Sequence, residues 1–152
     1  MAIDQHFQDI QLSELRAIAQ RRNAEGWRAV QTHCVNTEEG IDITYTFERE
    51  GIYENFRIRG VQKTDEVPSL QDMFLGLFPF ENEAHDLFGV NMTGMVLDFQ
   101  GAFYDLAMKE PMTVISPEQK AAREKAAKIA AAKAAKAKAA AAKKATEEGE
   151  GE

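Results

Sequence analysis

Four ionisable side chains fall within six residues: Glu81, Glu83, His85 and Asp86. Phe78-Pro79-Phe80 precedes them and Leu87-Phe88-Gly89-Val90 follows. Glu81 and His85 are four apart, one face of a helix, and metal sites use that spacing. Two ligands do not complete a site, however. His6 and His33 sit in no ligand-like pattern, and Cys34 is the only cysteine. The carboxylates Glu81, Glu83 and Asp86 could do general acid–base chemistry if burial split their pKa values. No glycine-rich phosphate loop, nucleophile elbow or recognisable Ser-His-Asp order accompanies them. No catalytic, cofactor-binding or metal-binding residue is therefore assigned. The third reading is structural. The free N–H groups and dipole of a helix N-terminus favour carboxylates such as Glu81 and Glu83. Asp86 can bond backbone N–H groups near Gly89. Phe80, Leu87 and Phe88 would pack, and a polar cluster among aromatics is also what an interface looks like.

The elements that must position this cluster follow from periodicity. Leu12, Leu15, Ile18 and Ala19 predict a helix over 13–25, with Ser13 as N-cap and Gly26 as stop. Trp27 to Val35 reads as extended. Ile41, Ile43, Tyr45 and Phe47 alternate with Asp42, Thr44, Thr46 and Glu48, the pattern of a half-buried strand. Glu50-Gly51 turns the chain into a return strand over 52–61, an antiparallel hairpin joined by the Trp27 strand. Pro68-Ser69-Leu70-Gln71-Asp72 reads as a helix start with Ser69 and Asp72 as a capping box. Pro79 interrupts that helix or begins the next, over 80–88, with Gly89 at its C-terminal side. The prediction is an α+β fold: a small, mostly antiparallel sheet packed with an N-terminal helix and two short helices. Residues 95–117 carry no clear pattern.

Charge divides the chain. Residues 1–119 hold 9 Lys+Arg and 20 Asp+Glu, residues 120–145 hold 9 and 1, and the last seven hold four Glu. The nets of −11, +8 and −4 sum to the −7 of the whole. The expected domains are 1–117, an α+β body, and 118–152, an Ala/Lys-rich tail with an acidic end. Strong helix formers fill the tail, but it has almost nothing larger than alanine to build a core. It reads as a solvated helix or disordered extension, or as a basic arm touching anionic lipid or an acidic partner. The acidic body argues against nucleic acid. One cysteine excludes an internal disulfide. The polar start does not read as a signal peptide, and no run reaches the roughly 20 apolar residues of a membrane span.

The run Glu81-Asn82-Glu83-Ala84-His85-Asp86-Leu87-Phe88-Gly89-Val90, followed by Gly94, resembles a family signature. It is that of the 30 kDa subunit (C subunit) family of respiratory complex I. That signature runs Glu-Arg-Glu, two residues, Asp-Leu/Met-Phe/Tyr-Gly-Ile, then a glycine. The upstream order also matches: the helix after Ser13, Glu25-Gly26-Trp27, the hairpin with Tyr45, Val67-Pro68-Ser69-Leu70 and Phe78-Pro79. The resemblance covers roughly 10–95. Asn82 stands where the family has arginine. The family's His-Pro-Asp-Leu-Arg-Arg continuation is replaced by Met95-Val96-Leu97-Asp98-Phe99. In this the chain is similar to the short forms in energy-converting, membrane-bound NiFe hydrogenases, such as the D subunit of the Ech type or its relative in CO-induced hydrogenase.

The resemblance implies a non-catalytic subunit with no cofactor of its own, which agrees with a single cysteine. The NiFe centre and iron–sulfur clusters would lie in partner subunits. Those partners would be the hydrogenase large subunit, the small iron–sulfur subunit and the membrane subunits. Glu81, Glu83, His85, Asp86, Leu87, Phe88, Gly89 and Gly94 would form a structural and docking motif. The location implied is the cytoplasmic face of the membrane, through the complex. The alternatives are the C subunit of NADH-quinone oxidoreductase and a free-standing acidic binding or assembly module.

Overall fold

A computed structural model describes residues 4–113 and Lys125. The expected tail over 118–152 falls outside the described residues, Lys125 apart. The chain divides into Met1–Val114 and Ile115–Glu152, and the elements described belong to the first unit.

A four-stranded sheet carries the body, in the order β1 (Asp4–Asp9), β4 (Ile52–Val61), β3 (Ile41–Arg49), β2 (Arg28–Asn36). The two pairs inside the predicted β2–β3–β4 unit are antiparallel. The fold class is as the sequence predicts, α+β with a mostly antiparallel sheet. Strand β1 is not among the predicted elements. It pairs parallel with β4 and every residue in it is exposed, so no alternation marks it in the sequence. Backbone and side-chain bonds hold it instead. Ile10 N–H donates to the Arg57 carbonyl, Asn55 Nδ2 to the His6 carbonyl, and Arg57 and Arg59 pair with Asp9.

Strand β3 departs from a half-buried pattern. Ile43, Tyr45 and Phe47 are in the core, but Thr44 and Thr46 are buried too. β3 is central, and the longer side chains of His33, Arg57, Gln31 and Asn55 stand opposite the two threonines. Thr46 Oγ1 donates to Asn55 Oδ1 at 2.8 Å, so its hydroxyl is satisfied there.

Helix α1 (Leu15–Ala24) buries Leu15, Ile18 and Ala19, three of the four residues of the predicted stripe. It is entered by a 3-10 turn, Leu12–Glu14, so Ser13 is not its cap; Gln11 N–H bonds Glu14 Oε2 instead. It stops at Gly26, φ 78°, as expected. Gly26 N–H reaches the Asn23 carbonyl and Trp27 N–H the Arg22 carbonyl, a Schellman arrangement. The Arg22 guanidinium lies over the Trp27 ring, 5.1 Å from its centroid.

The segment after Val67 is not the capped helix expected at Ser69. Val67–Pro68 forms β5, which pairs in parallel with β6 (Met92–Thr93), and the chain makes a single turn, Phe74 N–H on the Leu70 carbonyl, before a 3-10 stretch, Leu75–Leu77. Asp72 does not return a bond to Ser69: it pairs with Arg16 from α1, two bonds at 2.6 and 3.2 Å. Ser69 Oγ donates to a buried partner in α2 (Phe78–Phe88) and accepts from Gln71 N–H at 3.1 Å, the one part of the expected cap that forms.

A candidate structural and docking site on the second helix

Helix α2 begins with Pro79 in its first turn, where a missing N–H costs nothing. It ends at Gly89, φ 68°, with Gly89 N–H on the His85 carbonyl and Val90 N–H on the Ala84 carbonyl. Between these signals lie the four ionisable residues, and the structure sends them to different places.

Glu81 is fully buried. Its carboxylate accepts from Ser69 Oγ at 2.5 Å and from Leu70 N–H at 2.8 Å. It therefore pins the chain after β5 onto the helix. Burial pushes its pKa up, against those two bonds, which favour the charged form. Tyr45 faces the same interior. Its phenol is pushed well above its ordinary value by burial and then by the Glu81 charge, and its hydroxyl has no hydrogen-bond partner among the described residues.

Asp86 is also buried and works on the other side of the helix. Its Oδ2 accepts from the N–H groups of Phe103 and Tyr104, at 2.9 and 3.2 Å. Its Oδ1 is 2.8 Å from His85 Nδ1, and the His85 side chain is partly exposed. Glu83 lies nearer solvent, and its Oε2 accepts from the Tyr104 hydroxyl at 3.2 Å. Glu81 and His85 thus serve separate partners and do not converge as a metal pair. Among the described residues no three His, Cys, Asp or Glu gather as metal ligands would.

Asn82, singled out in the sequence only as a departure, is as central as any of these. It is fully buried. Its Nδ2 donates to the Phe78 and Leu97 carbonyls, both at 2.8 Å, and its Oδ1 accepts from Phe99 N–H at 3.1 Å. Gln71 adds a bond from Leu97 N–H to its Oε1, at 2.8 Å. The signal available was helical spacing: Asn82 and Asp86 are four apart on one face, and both receive the loop that follows β6. Ser69 and Gln71 carried no such signal, because their partners are distant in sequence.

Leu87 and Phe88 are partly buried, Phe88 against the core. Gly89 is required by conformation, and a Cβ there would come within 2.5 Å of the Glu110 carboxyl group, which pairs with Lys63. Gly94, φ 73°, has open space around it, so its backbone angle alone calls for glycine. The Cys34 thiol on β2 is pushed up to about 12 by burial and then by Glu83, which leaves it protonated and unreactive.

The result is a helix whose polar face is turned inward, each group bonded to the backbone of a neighbouring segment. A pocket opens beside it, lined by Lys63, His85, Asp86, Gly89, Gln100 and Gly101 among others. The inward polar face holds residues 97–104 of the loop after β6 against the helix. That loop presents Val96, Leu97, Phe99 and Tyr104 to solvent.

Residues 8–100 match the model of the family described as respiratory-chain NADH dehydrogenase, 30 Kd subunit. The C subunit of NADH-quinone oxidoreductase from Rhodopseudomonas palustris (strain BisB18) is 41% identical over 55 residues. That stretch is 36% of this chain and 28% of the relative, so the chain matches well under two thirds of its length. Two solved structures share the fold. One belongs to the membrane-bound sulfane sulfur reductase, an archaeal respiratory membrane complex, with TM-score 0.55 at 18% identity over 63% of this chain and 62% of that one. The other is the trypsin-resistant fragment (1–134) of Nqo5, with TM-score 0.55 at 14% identity over 62% and 83%.

Proposed function

Because the chain belongs to the 30 kDa subunit family of respiratory-chain NADH dehydrogenase, we propose that it is a non-catalytic subunit of a respiratory membrane complex. Within that class we assign it to a membrane-bound, energy-converting NiFe hydrogenase. There it docks on the large subunit beside the small iron–sulfur subunit and the membrane subunits. The complex couples ferredoxin-linked proton reduction to ion translocation, and the chain sits on its cytoplasmic face. The redox centres belong to the partners. In this reading attachment runs through those partners; no helix among the described residues is long and apolar enough to cross a membrane.

One observation carries the role of a subunit: the inward polar face of α2. Glu81, Asn82 and Asp86 spend bonding capacity on backbone groups of residues 70 and 97–104, which shapes a surface. The hydrogenase assignment is supported by the residues after Gly94, where the basic continuation of the longer family members is absent. The 41% identical stretch favours a second reading, the C subunit of a quinone-reducing complex.

A pull-down through a tag on this chain, from detergent-solubilised native membranes, separates the two. Equimolar large and small hydrogenase subunits with hydrogen evolution are expected. NADH-binding or quinone-module subunits would assign it to the second reading. A chain recovered without stoichiometric partners would overturn both.

A further inference from the structure

The loop held by α2 has a surface of its own. Phe99 stacks on Phe78 with centroids 6.5 Å apart, and Phe103 sits edge-on to both, at 5.0 and 6.3 Å. Tyr104 packs edge-on against Phe103 at 5.1 Å. Leu75 precedes Phe78 by one turn and is 53% exposed; Val96 is 58% exposed and Phe99 43%. Apolar side chains are thus ordered by ring contacts and buried hydrogen bonds, yet left facing water. Exposed apolar side chains held in place in this way mark an interaction site.

Its charge environment says what fits it. Between Lys63 and Lys109 the chain has eight Asp and Glu and neither Lys nor Arg. Asp72 is paired with Arg16, and Glu81 and Asp86 are buried. Asp98 and Asp105, both exposed, lie in the ledge's own loop, and Glu83 bonds the Tyr104 hydroxyl at its side. No cation among the described residues pairs with these three. The acidic rim repels the same ledge on a second copy of the chain, and anionic lipid and nucleic acid alike. The chain's own Lys-rich tail has the right sign, but beyond alanine its only apolar side chain over 120–145 is Ile129, too little to cover an aromatic ledge.

We propose that the ledge of Leu75, Val96, Phe99 and Tyr104 docks a partner protein whose contact surface is an apolar centre ringed by Lys and Arg. The inference rests on the subunit reading and names the face that does the docking. Aromatic anchors supply the affinity at the centre, and the rim charges set orientation and rate of encounter.

The test uses the full chain in its native complex, with a photo-crosslinking phenylalanine analogue at Tyr104 and, as control, at Glu50 in the β3–β4 turn. Crosslinks from position 104 are expected in one partner subunit, at an apolar residue flanked by Lys or Arg. Phe99→Ala should lower partner recovery about tenfold, the scale of an interface anchor. Asp105→Lys, at an exposed position, should lower it about threefold at low salt and less at high salt. Thermal melts of both variants separate lost docking from lost folding. If the chain is recovered in a stoichiometric complex but position 104 crosslinks nothing, or its own tail, the ledge proposal is overturned and the subunit reading stands. If no stoichiometric complex is recovered, the subunit reading falls and takes the ledge with it.

Discussion

Two buried carboxylates, one on each side of a single helix, do different work. Asp86 accepts from two backbone N–H groups with no other acceptor among the described residues, so Asp86→Ala strands both in a partly buried place. An unsatisfied buried donor costs about 1–3 kcal/mol, and urea unfolding of the variant should show a loss of about 2–3 kcal/mol. It should also free the 97–104 loop to faster amide exchange, which a loss confined to the core would not do. Glu81 has the opposite relation to pH from most carboxylates. Folding raises its pKa above the ordinary 4.5. The folded state therefore holds that proton more tightly, and the contribution favours folding below about 4.5 and is lost as pH rises through the folded value. Glu81→Gln keeps the shape and an acceptor for Leu70 N–H. Its stability relative to the native chain should increase as pH rises above 4.5, measured by urea midpoints across a pH series. A difference that stayed flat with pH would show that Glu81 is not desolvated. That these residues matter was legible in their crowding and their flanking aromatics. That Glu81 faces Ser69 while Asp86 faces Phe103 was not, because both partners are set by how distant segments pack.

At the level of elements, α2 is bounded by local chemistry and the segment before it is not. Pro79 and Gly89 bracket the helix by backbone geometry alone, and both were readable. Gly89→Ala forces an L-residue into a left-handed angle, at about 1 kcal/mol. It also brings a Cβ against the Glu110 carboxyl group. In a Glu110→Ala background the thermal shift from Gly89→Ala should persist, since the side chain at 110 is a flexible end that can move. If the shift vanished there, collision and not backbone strain would be its cause. Ser69 and Asp72 show the converse. Their spacing fits a capping box, yet Ser69 bonds Glu81 and Asp72 bonds Arg16. For Asp72 a charge-assisted partner on another element outcompetes a local cap worth about 1 kcal/mol, whereas Ser69 Oγ donates to Glu81 and still accepts from the local Gln71 N–H.

The whole body draws its core from residues up to Met92, with Met95 packed against it, among the described residues. A chain ending at residue 117 should therefore unfold cooperatively, with a urea midpoint near that of the full chain. Its net charge would be −10, from 9 Lys+Arg and 19 Asp+Glu, so its stability should rise with salt more steeply than that of the full chain. A non-cooperative transition would mean the tail contributes to the core. The sequence alone determined the hairpin, α1, the ends of α2 and the acidic body, because period, proline, glycine and net charge act over a few residues. The signature from Glu81 to Gly94 likewise pointed to the family that residues 8–100 match. Only the tertiary structure decided that the exposed strand β1 joins the sheet and that Ser69 serves Glu81. It alone showed Asn82 and Asp86 flattening a patternless loop into an exposed aromatic ledge. Each of those rests on a hydrogen bond or ring contact between segments far apart in the chain, and no local period encodes such a contact.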